Sequence, residues 1–249
     1  MPPKPYAIIA GVGAGTGAAV AKRFAKAYSV VLLSRSTDSF SALEKEINDS
    51  GGDAVGIATD VVDENGVANA LKIVDERFGR DAICTAAIFN AAGKLAVKPF
   101  LELTTDAFLA PLDVNVKGGF HFSQAILPRL LRTAESSKTT TYPPTLIFTG
   151  ATASLKASAN FSSFAVSKFA TRALVQSLAR EFGPKGVHVS HAIIDGIIDT
   201  PATKDYMKDA GPDAKIDPET IAETYWYLHT QPKSGFTHEL EIRPSSERW

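Results

Sequence analysis

The segment Gly11-Val12-Gly13-Ala14-Gly15-Thr16-Gly17 carries the clearest chemical signal in the chain. An apolar run, Tyr6 to Ala10, leads straight into it, and helical spacing begins at Thr16. Glycines admit positive φ and let backbone approach a ligand closely. The helix start presents free N–H groups and a positive dipole end to an anion. This context predicts a phosphate held by backbone. A ligand-free turn is the competing use, and four glycines in seven residues weigh against it. Metal chemistry has little support. His121, His188, His191, His229 and His238 show no ligand spacing. His188 and His191, three apart in a strand-like run, point to opposite faces. Cys84, the one cysteine, excludes an internal disulfide and cannot bind zinc alone. It lies in an apolar run and reads as a small buried hydrophobe.

The elements that must position this turn alternate along the chain. Strand-like runs are expected at Tyr6–Ala10, Val30–Leu33, Ala54–Ala58, Ala82–Phe89, Leu146–Phe148, Val187–Ile194 and His238–Ile242. Helical patterns fall at Thr16–Ala27, Ser41–Ile47, a stretch bearing Val67, Leu71, Val74 and Phe78 that Asp63 can cap, a long stretch through Val114, Phe122, Ile126 and Leu130, Phe161–Phe182 and Pro218–Leu228. Apolar strands alternating with helices predict an α/β protein, a doubly wound parallel sheet of about seven strands in a three-layer αβα sandwich. Such a sheet binds ligands beyond the carboxyl ends of its strands, at the switch point. Two irregular segments are expected as loops. Glu135–Pro144 reads as a surface connection, and Thr200–Asp217 follows strand six, where it would overhang the site.

The spacing Gly11-x-x-x-Gly15-x-Gly17 resembles the short-chain dehydrogenase/reductase family, a Rossmann-type fold. Further stretches agree in order: Asp60-Val61, Asn90-Ala91-Ala92-Gly93, Asn115 within Val114-Asn115-Val116-Lys117-Gly118, Ser167-Lys168, and Asp195-Gly196 with Thr200. The resemblance covers residues 6 to about 242. It implies one dinucleotide-binding domain over 1–249, with a substrate lid at 200–217, and a hydride-transfer enzyme. By that resemblance Gly11, Gly15, Thr16 and Gly17 cradle a pyrophosphate. Asp60 and Val61 meet the adenine, and Asn90 and Ala92 the adenosine ribose. Lys168 binds the nicotinamide ribose, Asn115 supports Lys168 through water, and Ile198 and Thr200 fix the carboxamide. Asn115 and Lys168 are the catalytic residues carried over.

Strand two ends Leu32-Leu33-Ser34-Arg35-Ser36. An acid here would bind a ribose and repel a 2′-phosphate, and the first acid is Asp38. Arg35 offers a planar donor fork to phosphate, and Ser34 a hydroxyl. NADP(H) is therefore expected over NAD(H).

The proton-handling half of the family's site is reduced. Where the family has its catalytic tyrosine, four residues before Lys168, stands Phe164. Where it has a serine, thirteen residues before that, stands Ala151. Thr149, Thr152, Asp195, Tyr206 or water could supply the proton. The expectation is an atypical NADP(H)-dependent oxidoreductase acting on a small organic substrate. The alternatives are a non-catalytic NADP(H)-binding scaffold or sensor, and an isomerase or lyase reusing the pocket.

Composition narrows the partners. Lysine plus arginine is 26 and aspartate plus glutamate 27, a net charge of −1 with no basic cluster, which argues against nucleic acid. No apolar run nears the roughly 18 residues a bilayer span needs. Neither end reads as a targeting signal, so a cytoplasmic protein is expected. The resemblance implies a homodimer or homotetramer, with Phe120, Phe122, Phe169 and Leu174 available to core and interface. Tyr225, Trp226 and Tyr227 read as packing residues.

Overall fold

The computed structural model describes residues 4–136, 140–207, 210–211 and 213–246. Residues 1–3 and 247–249, which bear on any leader or tail signal, lie outside that range. So do 137–139 of the expected surface connection and 208, 209 and 212 of the expected lid.

Seven strands form one parallel sheet: β1 (Tyr6–Ala10), β2 (Ser29–Ser34), β3 (Ala54–Ala58), β4 (Cys84–Phe89), β5 (Thr145–Thr149), β6 (His188–Ile194) and β7 (Glu239–Ile242). Their order is β3-β2-β1-β4-β5-β6-β7, so the chain reverses direction across the sheet between β1 and β4. Helices α1 (Thr16–Ala25), α2 (Ser41–Asp49) and α7 (Pro218–His229) cover one face. The other face carries α3 (Gly66–Phe78), α5 (Gly119–Glu135) and α6 (Ser162–Phe182), with α4 (Thr105–Leu112) packed on α6.

Side-chain alternation along β1 shows why the central strands are apolar throughout. Ala7 and Ile9 face Val20, Phe24 and Leu228, whereas Tyr6, Ile8 and Ala10 face Val74, Phe122 and Ile126. Each large side chain so buried stabilises the fold by roughly 1.5–3 kcal/mol. Tyr6 ends its ring on Phe78 and receives Arg129, which also grips Asp75 at 2.6 Å. Cys84 is fully buried and burial pushes its thiol up to about 12, as befits an inert core residue.

The structure amends several expected details. Asp63 does not cap α3: Asn65 holds that position, and Asp63 accepts the Asn65 N–H in the preceding turn. β4 starts at Cys84 rather than Ala82, and α1 stops at Ala25. The long central helix is interrupted between α4 and α5 by a π-helical turn, Asp113–Gly118, which begins two residues after Pro111. Phe122 is wholly in the core, whereas Phe120 and Phe169 stay nearly half exposed. The segment after β6 is tied down at its base. Ile198 pairs with Ile216, and Ile216 joins the core. No helix among the described residues is long and apolar enough to cross a membrane.

Candidate active site

β1 delivers the chain to the switch point, and the glycine turn leaves it there. Gly11 has φ +91°, and a side chain on it would meet the Ala91 N at 2.3 Å. One on Gly17 would meet the Gly11 carbonyl at 2.5 Å. Both glycines are thus needed for the turn to close on itself. Gly13 faces open space.

A hydrogen-bonded chain holds this turn from beneath. The Asn90 amide donates to the Gly11 carbonyl at 2.9 Å. Thr149 donates to the Asn90 Oδ1 at 3.0 Å, and the Tyr225 hydroxyl donates in turn to Thr149 at 2.8 Å. Burial keeps the Tyr225 phenol neutral far beyond its ordinary range. Tyr225 therefore braces the cradle as well as packing the core. Its sequence neighbours read only as packing, since nothing local signals a bond to β5.

A cavity of about 770 Å³ opens above these residues. Gly15, Thr16, Gly17, Asn90, Ala92, Lys168, Ile198 and Thr200, all expected at the site, line it. Among the described residues two lysines, Lys156 and Lys168, line it and no carboxylate does. The Thr16 hydroxyl, on the first residue of α1, is buried and has no hydrogen-bond partner among the described residues. Leaving a buried hydroxyl unpaired costs about 1–3 kcal/mol. That orphan, beside open space at Gly13 and the N-terminus of α1, fits a pyrophosphate oxygen.

Ser34 ends β2 and the exposed Arg35 follows it, outside the cavity wall on the same carboxyl edge. Asp60 is exposed and accepts the Val62 N–H. Val61 is buried against Gly118, leaving its backbone for any ligand.

Lys168 is 4% exposed and its ammonium donates to the Thr149 carbonyl at 3.0 Å. No acid is paired with it among the described residues. Desolvation pulls its pKa down to about 8. The Phe164 ring, one helical turn earlier on α6, lies 5.7 Å from Nζ and lines the same cavity. Asn115 sits in the π turn, a feature common at functional sites. Its amide donates to Ser167 at 2.8 Å and its Oδ1 accepts the Gly93 N–H at 3.1 Å. Asn115 thus connects to Lys168 through α6, a link invisible before the fold is known.

The candidate proton sources part company. Thr149 is committed to Asn90 and Tyr225. Tyr206 is 61% exposed and does not line the cavity. The Asp195 carboxylate is not in the cavity wall; it lies behind Thr152, bonded to its hydroxyl, and pairs with Arg243 at 2.8 Å. Thr152 and Ala151 do line the cavity, together with Phe161, which sequence reasoning passed over.

A parallel sheet with a glycine cradle at its switch point defines a dinucleotide-binding α/β protein. More narrowly, the chain belongs to the short-chain dehydrogenase family, whose model matches residues 5–211. An uncharacterized oxidoreductase of Staphylococcus aureus strain N315 is 29% identical over 240 residues, 96% of each chain. A short-chain dehydrogenase from Rhodopseudomonas palustris is 32% identical, with a TM-score of 0.76 over 96% of this chain and 98% of that one. A metagenomic short-chain oxidoreductase in complex with NADP shares the fold at 23% identity and a TM-score of 0.78, covering 97% of each chain.

Proposed function

We propose that the protein is an NADP(H)-dependent oxidoreductase that works without the family's tyrosine and serine. The observation that carries this is one cavity joining the glycine cradle to the buried Lys168, which no acid among the described residues pairs. The relatives' naming as oxidoreductases supports it. The nicotinamide group, when bound, supplies hydride transfer. Gly15, Gly17 and Thr16 hold the pyrophosphate, Lys168 the adjoining ribose, and Ile198 with Thr200 the carboxamide. Phe161 and Phe164 give the substrate end apolar walls that exclude water. NADP(H) turnover with a panel of secondary alcohols and ketones tests the reading. Tight cofactor binding with no turnover would favour the scaffold alternative, which the missing tyrosine supports.

NADP(H) is the cofactor proposed, because Arg35 stands exposed at the end of β2 with no acid before Asp38. The NADP held by the metagenomic relative is in keeping with it. Arg35→Ala is expected to weaken NADPH binding about 10- to 100-fold, the worth of a charge-assisted pair, and leave NADH unchanged. Calorimetry showing equal affinities for the two cofactors in the unmutated protein would end the claim.

The assembly proposed is a symmetric dimer or tetramer. Phe120 on α5 and Phe169 on α6 leave large apolar rings nearly half exposed, as an interface would use. Sedimentation should give a species at least twice 26.5 kDa. A lone 26.5 kDa species at micromolar protein contradicts it.

A further inference from the structure

We propose that Thr152 and Asp195 form the proton relay of this site; this rests on the oxidoreductase reading. Thr152 lines the cavity and its hydroxyl hydrogen is already given to Asp195 Oδ1. Its oxygen is left as an acceptor toward the cavity, so it recognises a donor, such as a substrate O–H, better than a carbonyl. Asp195 is 2% exposed, and its second oxygen is held by Arg243 at 2.8 Å. Arg243 is shared with Glu241 of β7. Lys168 of α6 lines the same cavity. On the remaining side, Pro244 and Ile216 pack apolar atoms against the adjoining Gly196. A carboxylate so placed is reached from the cavity through one hydroxyl, the geometry of a two-step relay.

The step balances as follows. The oxidised nicotinamide cofactor, when bound, would supply the acceptor for the alcohol's hydride, and the C–O bond would become a carbonyl. The substrate O–H breaks and its proton passes to the Thr152 oxygen. The Thr152 proton passes to Asp195 at the same time. After the carbonyl product leaves, the proton returns to solvent through the same hydroxyl. Thr152 is the catalytic residue, since it touches substrate, and Asp195 acts through it.

Four variants test the relay in the full-length protein, with NADP⁺ and a panel of secondary alcohols. Thr152→Val keeps the shape and removes the hydroxyl; it should lower kcat about 10²-fold or more, the usual worth of a positioned base. Thr152→Ser restores the hydroxyl and should recover most of the rate. Asp195→Asn should lower kcat similarly, and Asp195→Glu, which keeps a carboxylate, should recover part of the rate. A readout independent of turnover accompanies these. NADP⁺ affinity by calorimetry should be unchanged in all four. Full alcohol oxidation in Thr152→Val overturns the relay alone, even if Asp195→Asn fails to fold. Absence of turnover in the unmutated protein overturns the relay together with the oxidoreductase reading.

Discussion

Lys168→Met is expected to strengthen the empty protein and cripple its hold on NADP(H). Lys168 is buried, its ammonium has one carbonyl partner, and no carboxylate is paired with it among the described residues. Burial lowers its pKa from 10.5 to about 8, so at neutral pH the fold keeps a charge in place against its desolvation cost. That penalty is of the order of 3 kcal/mol. Methionine fills similar space without charge, at the loss of one hydrogen bond worth about 1 kcal/mol. The melting temperature of the cofactor-free variant at pH 7 should therefore rise, by roughly 2–4 °C per kcal/mol gained. The pH dependence has a definite sign. Between pH 8 and 10.5 the unfolded chain keeps a proton here that the folded chain has shed. The unmutated protein's Lys168 contribution to stability thus improves as pH rises through that window, and Lys168→Met should lack that gain. Binding moves the other way. Losing the charge-assisted bonds proposed between Lys168 and the ribose should cost about 10- to 100-fold in NADPH affinity. A variant that melts lower than its parent at pH 7, or that binds NADPH equally well, would contradict this account of Lys168 as a strained residue kept for binding.

Much of this site is legible before folding because it is built from local pattern. The glycine turn announces itself between an apolar run and a helix, and Lys168 follows Phe164 by one helical turn. The parallel sheet follows from alternation, since buried parallel strands must be apolar on both faces. What escapes the sequence is every contact made across the sheet. Tyr225 reaches Thr149 over 76 residues, and Asn115 reaches Ser167 over 52. Asp195 reads correctly as a carboxylate near the pocket. Only the fold shows it standing behind Thr152 with Arg243 at its back. Asp63 fails as a cap for a smaller reason: an Asx turn at 63–65 uses its oxygen one turn early.

Phe164→Tyr is expected to create, or raise at least 10²-fold, NADPH-dependent reduction of activated ketones. Phe164 and Lys168 line one cavity, and the ring centre lies 5.7 Å from the ammonium. A hydroxyl added to that ring alters shape little, and the lysine's charge favours its ionised form. A positioned acid is worth about 10²–10⁴ in rate. Ala151→Ser alone should do little, because an orienting group without an acid supplies no proton. The double variant should exceed either single change, as groups acting together are not additive. Pro201 and Ala202 border the cavity, so small ketones that pass the segment above it are the right probes. Steady-state rates of NADPH oxidation with such ketones, measured beside NADPH affinity, decide the matter. A folded variant that binds NADPH as its parent does and reduces nothing more would show that Phe164 does not occupy a vacated acid position. In that outcome the ring serves only as an apolar wall.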